Sequence, residues 1–336
     1  MQPQHPRVSA RARGLPPAGP TWFHLCDVRP ARLVAGIVNP VVTHSAGGDV
    51  PSSTGGSHDQ VRRRPAGGRR DRRFRLSTIA LAWGVDEARG RSRRLLLVHT
   101  ADRADVETGE KMLDDASVRA RRAVPDLDVS TVPDSGHAAD ALLKQASDAS
   151  VVVLGSRGRS DLSSLLLGST SLQVAMHAPC AVVVIRLAGE DAPPGRSVGR
   201  VVVGVDNSPR SDRAVDFAFE EADSRGVGVT AVLTWLGPEI DSSASPPHEW
   251  EQAAEEEKAH LAESLAGRRA EYRGVDIVQK AVRGDPAGAL TDESAGAELL
   301  VVGSHGRDGL GGIVRGSVSH TLLHHAHCPV AVVRSQ

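Results

Sequence analysis

The residues best suited to chemistry lie in one stretch, Leu299–Ser317, which reads LLVVGSHGRDGLGGIVRGS. Four apolar residues, Leu299 to Val302, have the character of a buried strand and run straight into Gly303-Ser304-His305-Gly306. Nine residues later, Gly316-Ser317 opens a helical pattern carried by Val318, Leu322 and Leu323. Glycines at a strand's exit let the backbone approach a ligand with free N–H groups, and a helix start adds partial positive charge. That combination suits an anion, phosphate above all. A second group of interest is Asp206, which closes the apolar run Arg200–Val205 and opens the turn Asp206-Asn207-Ser208-Pro209.

The elements that must position these groups are written twice. Residues 127–186 align with 275–334 without a gap, at the offset of 148 that carries Gly155 to Gly303. Gly155-Ser156-Arg157-Gly158 falls on Gly303-Ser304-His305-Gly306, Gly168-Ser169 on Gly316-Ser317, and His177-Ala178-Pro179-Cys180 on His325-Ala326-His327-Cys328. An earlier block aligns at an offset of 134, with Ser77, Trp83 and Glu87-Ala88 meeting Ser211, Phe217 and Glu221-Ala222. In the same block, Leu97–Thr100 meets Ala231–Thr234. The longer second copy carries its extra residues around Asp241–His248, in a Pro/Ser-rich loop where insertion costs little.

The second copy shows the whole unit. Strands are expected at Arg200–Val205, Val227–Trp235, Val275–Val282, Leu299–Val302 and Val330–Val333. Helices alternate with them: one capped by Ser211 and ending near Gly226, a long one over Trp250–Tyr272, and a short one over Pro286–Ser294 with proline in its first turn. Alternation of this kind predicts a parallel, doubly wound α/β sheet with helices on both faces, binding its ligand at the carboxyl ends of the strands. Gly189–Gly199, with Pro193-Pro194, reads as the linker between a first domain over 76–188 and a second over 200–336.

Composition narrows the function. The 336 residues carry 40 basic and 41 acidic side chains, so charge balance gives no argument for nucleic acid or membrane. Aromatics at 3% are too scarce for base-stacking platforms. Cys26, Cys180 and Cys328 are too few and scattered for a disulfide framework or a zinc site. No apolar run reaches membrane-spanning length and no signal-peptide core is evident, so a soluble cytoplasmic protein is expected.

Asp206 after the first strand, with Gly303-x2-Gly306-x9-Gly316-Ser317 after the fourth, resembles the universal stress protein family in its ATP-binding form. The Gly284-Asp285-Pro286-Ala287 turn and the His325–Val330 lead into the last strand resemble it too. The resemblance covers 200–335 fully and 77–188 in part. It implies two tandem Rossmann-like domains of the adenine nucleotide α hydrolase-like type, each with five parallel strands, paired as a pseudo-dimer within the chain. A homodimer of chains is a further assembly it allows. It also implies ATP as the ligand, a stress or growth regulator as the function, and at most weak ATPase activity. By the same resemblance Asp206 faces ribose, phosphate and any Mg²⁺, a hard cation that suits a carboxylate. The Thr234 backbone meets the adenine edge, and Ser208 adds a hydroxyl. Gly303 and Gly306 let the loop wrap ribose and phosphates, while Gly316, Ser317 and the Val318 N–H grip the phosphate chain. Asn207 stands where the family usually has glycine, a tolerable change because asparagine visits left-handed φ readily.

Rival readings are a slow Mg-dependent ATPase and a nucleotide-free module that dimerises through its last strands. No Walker lysine, catalytic base or arginine finger is recognisable, which argues against a fast phosphotransferase. His320, His324, His325 and His327 invite a metal reading, but only one of the four has a histidine at the matching place in the first copy. Ser317 with His305 lacks a nucleophile elbow. Cys180 and Cys328, at equivalent places before a strand, read as inert core thiols.

The N-terminus does not fit. Residues 1–75 are rich in Pro, Gly, Ser and Arg, with one apolar run, Leu33–Val42, interrupted by Gly36 and Pro40. Their arginine clusters could form a basic nucleic-acid tail, but a solvated, disordered arm is the commoner case. At the offset of 134, Val201–Ser208 should be mirrored by residues 67–74, which read Gly-Gly-Arg-Arg-Asp-Arg-Arg-Phe and contain no buried strand. On this reading the first domain keeps Gly155, Gly158, Gly168 and Ser169 but lacks its first strand and carries Arg72 opposite Asp206. Such a half would be marginally stable and bind nucleotide poorly. Codons for 67–74, entered one base later, can spell Val-Val-Val-Gly-Thr-Asp-Gly-Ser, so the segment is also compatible with translation out of frame. The gene decides this: a shifted frame that spells no apolar strand over codons 67–74 leaves the arm as the reading.

Overall fold

In the computed structural model the described residues are 32–37, 67–100, 106–156, 167–186, 195–206, 208, 211–235, 247–304 and 317–334. The N-terminal half runs β1 (Arg32–Ile37), α1 (Gly67–Gly90), β2 (Leu95–Thr100), α2 (Val106–Ala123), β3 (Val129–Asp134), α3 (Ala138–Ala146), β4 (Ala149–Gly155), α4 (Ser169–His177) and β5 (Ala181–Ile185). The C-terminal half repeats it as β6 (Val201–Val205), α5 (Asp212–Arg225), β7 (Val229–Trp235), α6 (Pro247–Glu271), β8 (Ile277–Arg283), α7 (Pro286–Glu293), β9 (Leu299–Gly303), α8 (Ser317–His325) and β10 (Val330–Val333).

The strands form one sheet in the order β3-β2-β1-β4-β5-β10-β9-β6-β7-β8. Each half is parallel within itself, and the halves join where β5 and β10 pair antiparallel. Ala331 sits opposite Val183, its own counterpart at the offset of 148, so the join is a local two-fold. Successive strand residues face opposite cores. Leu33, Ala35, Val201 and Val203 pack on the α1, α2, α5 and α6 side; Val34, Val202, Leu300 and Val332 pack on the other.

One expectation is overturned. The first domain does not lack its first strand: Arg32–Ile37 fills the place between β2 and β4, in register as Leu33↔Leu95 and Leu33↔Val151. Residues 67–74, expected opposite β6, are helical backbone at the start of α1. The reason is the sheet itself. An empty central slot would leave the N–H and C=O groups of two buried strands unpaired, and Leu33-Val34-Ala35 is an apolar run able to fill it. Leu33 is wholly buried, and its N–H donates to the Arg94 carbonyl at 2.9 Å.

Side chains reinforce the join. Arg186, after β5, donates to the carbonyls of Leu323, His324 and Ala326 at the C-terminus of α8. Arg334, its counterpart after β10, donates to the Met176 carbonyl at the C-terminus of α4. Each half thus satisfies helix-end acceptors of the other with a cation that also suits the helix dipole. Of the expected linker, residues 195–199 are described and lie against the second half: Ser197 is buried and donates to Glu293 at 2.6 Å.

Because Leu33 lies in the middle of the sheet, Leu33→Ala should destabilise the chain by about 2–5 kcal/mol, read from urea denaturation. A change below about 0.5 kcal/mol, the size of a surface substitution, would show that this strand is not part of the core.

Candidate functional site

The sheet brings three of the residues singled out in the sequence onto adjacent strand ends. β6 lies between β7 and β9, so Thr234 near the end of β7, Asp206 just after β6 and Gly303 at the end of β9 sit side by side at the carboxyl edge. This is where chain order reverses, the point at which an open parallel sheet leaves a crevice.

Asp206 is half-buried, and its Oδ1 accepts from the Ser208 N–H at 2.9 Å and the Ser208 hydroxyl at 2.6 Å. The carboxylate therefore holds its own turn, and with it the entry to α5. Ser211 stands at the N-cap, but its hydroxyl donates to the Ser208 carbonyl at 2.9 Å instead of capping the helix. At the other end Gly226, with φ of 66°, terminates α5 in the left-handed conformation that glycine takes at no steric cost. Beside Thr234, the Trp235 carbonyl accepts from Gly284 N–H at 3.1 Å, tying the ends of β7 and β8. Gly284 has φ of 133°, and Asp285 caps α7 by accepting from Gly288 N–H at 2.7 Å. This turn and Trp235 were not among the site residues read from the sequence; the tie across strands is what the sequence could not display.

Ser317 is exposed at the start of α8 and Val318 is half-buried in its first turn. Gly306, Gly316, Asn207 and His305 lie outside the described residues, as does Gly158 in the first half. One residue past each strand the ladder continues: Ser304 N–H donates to the Val333 carbonyl at 2.8 Å, as Ser156 N–H does to that of Ile185. In the first half Gly155 ends β4, Gly168 caps α4, and Ser169 begins it exposed. The Gly168 N–H reaches the Ser156 carbonyl at 2.8 Å, and the Ser171 hydroxyl reaches the Gly155 carbonyl at 2.8 Å.

The counterpart of Asp206 is also corrected. Arg72 belongs to α1, not to a strand end. Matching register puts Leu33 where Val201 stands, since both face the first residue of the neighbouring strand. Counted on in sequence from that register, the residue matching Asp206 is Val38, which lies outside the described residues.

Among the described residues there is no group of three or more His, Cys, Asp or Glu side chains able to hold a metal ion. The His320 and His324 rings lie 4.8 Å apart, tilted by 40°, and burial, then His320, Arg186 and His325, lower the His324 pKa. Among the described residues no helix is long and apolar enough to cross a membrane.

Fold and repetition together define a tandem, Rossmann-like α/β protein. The family model of the universal stress proteins matches residues 75–186 and 197–334, and the chain belongs to that family. It is 36% identical over 279 residues to the universal stress protein Rv2005c of Mycobacterium tuberculosis, a match covering 77% of this chain and 93% of that one. To Rv2623 of the same organism it is 33% identical over 278 residues, covering 76% and 92%. A functionally unknown protein, PA1789 of Pseudomonas aeruginosa PAO1, shares the fold with a TM-score of 0.56 at 16% identity, over 91% of this chain and 94% of that one. A putative universal stress protein of P. aeruginosa UCBPP-PA14 does so with a TM-score of 0.53 at 17% identity, over the same shares.

Burial pushes the thiols of Cys180 and Cys328 up to about 12. At pH 8 each should therefore carry on the order of 1000-fold less thiolate than a free cysteine. Iodoacetamide labelling of native protein, read peptide by peptide, should leave both unmodified until the chain is unfolded; modification at the free-cysteine rate would contradict this.

Proposed function

We propose that the C-terminal half binds ATP at the Thr234–Asp206–Gly303 strand ends and that the chain works as a nucleotide-liganded regulator of stress response or growth. The observation that carries this reading is the presence of a half-buried carboxylate between a glycine exit and a threonine backbone at the one place in the half where strand order reverses. In this reading the glycine-bearing stretch after β9 and the first turn of α8, with Ser317 and the Val318 N–H, hold the phosphates, and Gly306 and Gly316 complete that loop. Ser208 keeps the Asp206 turn in shape.

The residues fit Mg²⁺ only as a companion of the nucleotide. Asp206 supplies a single carboxylate with no cluster around it among the described residues, and Mg²⁺ is commonly held by one or two carboxylates together with substrate phosphates. Bound there, the ion would neutralise phosphate charge, and Asp206 would orient it.

In the N-terminal half Gly155, Gly158, Gly168 and Ser169 match the phosphate-side residues in sequence, while the position matching Asp206 is Val38. Nucleotide binding is accordingly assigned to one half. Dimerisation through the last strands, the rival reading, loses its surface: β5 and β10 already pair with each other inside the chain.

Thermal denaturation tests the reading. ATP at 100-fold over its Kd should stabilise the chain by roughly 2.7 kcal/mol, Asp206→Ala should abolish the gain, and calorimetry should count a single ATP per chain. No gain with ATP, ADP or cyclic nucleotides would refute nucleotide binding, and two equal sites would refute the asymmetry.

A further inference from the structure

Helices α1 and α5 meet across the two halves at residues related by the offset of 134, and they bury charge there. Glu87 and Glu221 are 4% and 1% exposed. Just past the end of α1, Arg91 donates to Glu87, to Glu221 at 2.7 Å and to Glu220 at 2.7 Å. From α5, Arg225 donates to Glu221 at 2.8 and 3.0 Å and lies 3.6 Å from Glu87 Oε2. Each guanidinium also covers an aromatic ring of the opposite half: Arg91 lies 5.1 Å from the centre of Phe217, and Arg225 lies 4.8 Å from that of Trp83. Trp83 and Phe217, Glu87 and Glu221, and Arg91 and Arg225 are equivalent pairs. Gly90, the counterpart of Ser224, lets the helices close: a Cβ there would sit 2.7 Å from the Ser224 hydroxyl oxygen.

The charges facing Glu87 are Arg91, just past the end of its own helix, and Glu220, Glu221 and Arg225 from α5. Glu220 is half-exposed, so the space from which water is largely excluded holds two carboxylates and two guanidiniums. Glu87 and Glu221 hold to the same two guanidiniums, and two buried carboxylates brought this close repel one another, which favours retention of a proton by the pair. We infer that the Glu87–Glu221 pair is a proton-binding clasp between the two halves, which tightens as the medium acidifies and loosens as the pair loses its proton. The inference is independent of the nucleotide site.

The sign follows from burial. Desolvation first, then repulsion by Glu221, raises the Glu87 carboxyl from 4.5 to about 7, against the opposing pull of Arg91. Between those values the folded chain keeps a proton that the unfolded chain has released. The contribution of the clasp to stability is therefore complete below the lower value and falls as pH rises through the window. An ordinary ion pair behaves in the opposite way, being lost as pH falls.

The test is the melting temperature of the full chain from about pH 5 to pH 8, with Glu87→Gln alongside. Glutamine mimics the protonated carboxyl, so the wild type should lose melting temperature relative to the variant over that range, by about a few degrees. A difference that is constant, or that grows in favour of the wild type, would overturn the proposal. Carbon-13 titration of glutamate carboxyls in the wild type provides a readout that does not depend on the variant folding. One carboxyl should titrate above about pH 6, and titration of every one below about pH 5.5 would also overturn it.

Discussion

A parallel sheet cannot be left open at its centre. Strands β2 and β4 each present a full row of hydrogen-bonding groups toward the slot between them, and in an apolar interior neither row can be satisfied by water. The six residues of β1 close both ladders at once. The same requirement acts at the end of each half, where the last strand would be an edge. Pairing β5 with β10 removes both edges together, which leaves only β3 and β8 at the margins of the sheet. Those margins are protected by their residues: β3 carries Pro133, which has no donor to offer, and β8 carries Lys280 and Arg283.

Much of this was readable before any coordinates. The gapless repeat at 148 residues, the apolar runs of the second half and the proline opening α7 identify strands and helices through local periodicity and capping, and these are properties of short windows. The first strand of the N-terminal half was not readable in that way. Leu33-Val34-Ala35 is short and followed by Gly36, and 29 residues separate β1 from α1, where connections in such units usually run two to six. Alignment by offset looks for a strand next to its helix and so arrives at 67–74. Only the vacancy in the sheet, a three-dimensional fact, selects the earlier run.

The candidate site divides along the same line. Asp206 and Gly303 were legible because a carboxylate and a glycine at strand exits are local signals, whereas Thr234 came only through the family resemblance. Their adjacency depends on strand order, which places β6 between β7 and β9. The closure of the neighbouring edge by Gly284 and Trp235 depends on it as well. Glu87 and Glu221 were visible as repeat equivalents, but a glutamate on a helix is ordinarily solvated. Their burial arises from the union of the halves, so nothing in either half alone could announce it.

The two kinds of site lie at opposite ends of one helix. The N-terminus of α5 grows out of the Asp206–Ser208 turn, while its last turns carry Glu220, Glu221 and Arg225. The N-terminal half is therefore not redundant. It completes the core that fixes β6 and β9, and it supplies Trp83, Glu87 and Arg91, without which Arg225 and Glu221 would be buried charges lacking partners from the other half. Removal of one member of such a group costs more than the group contributes as a whole, because the remaining charge stays out of water. That asymmetry gives a physical reason for the N-terminal half to keep its helix α1 and its central strand.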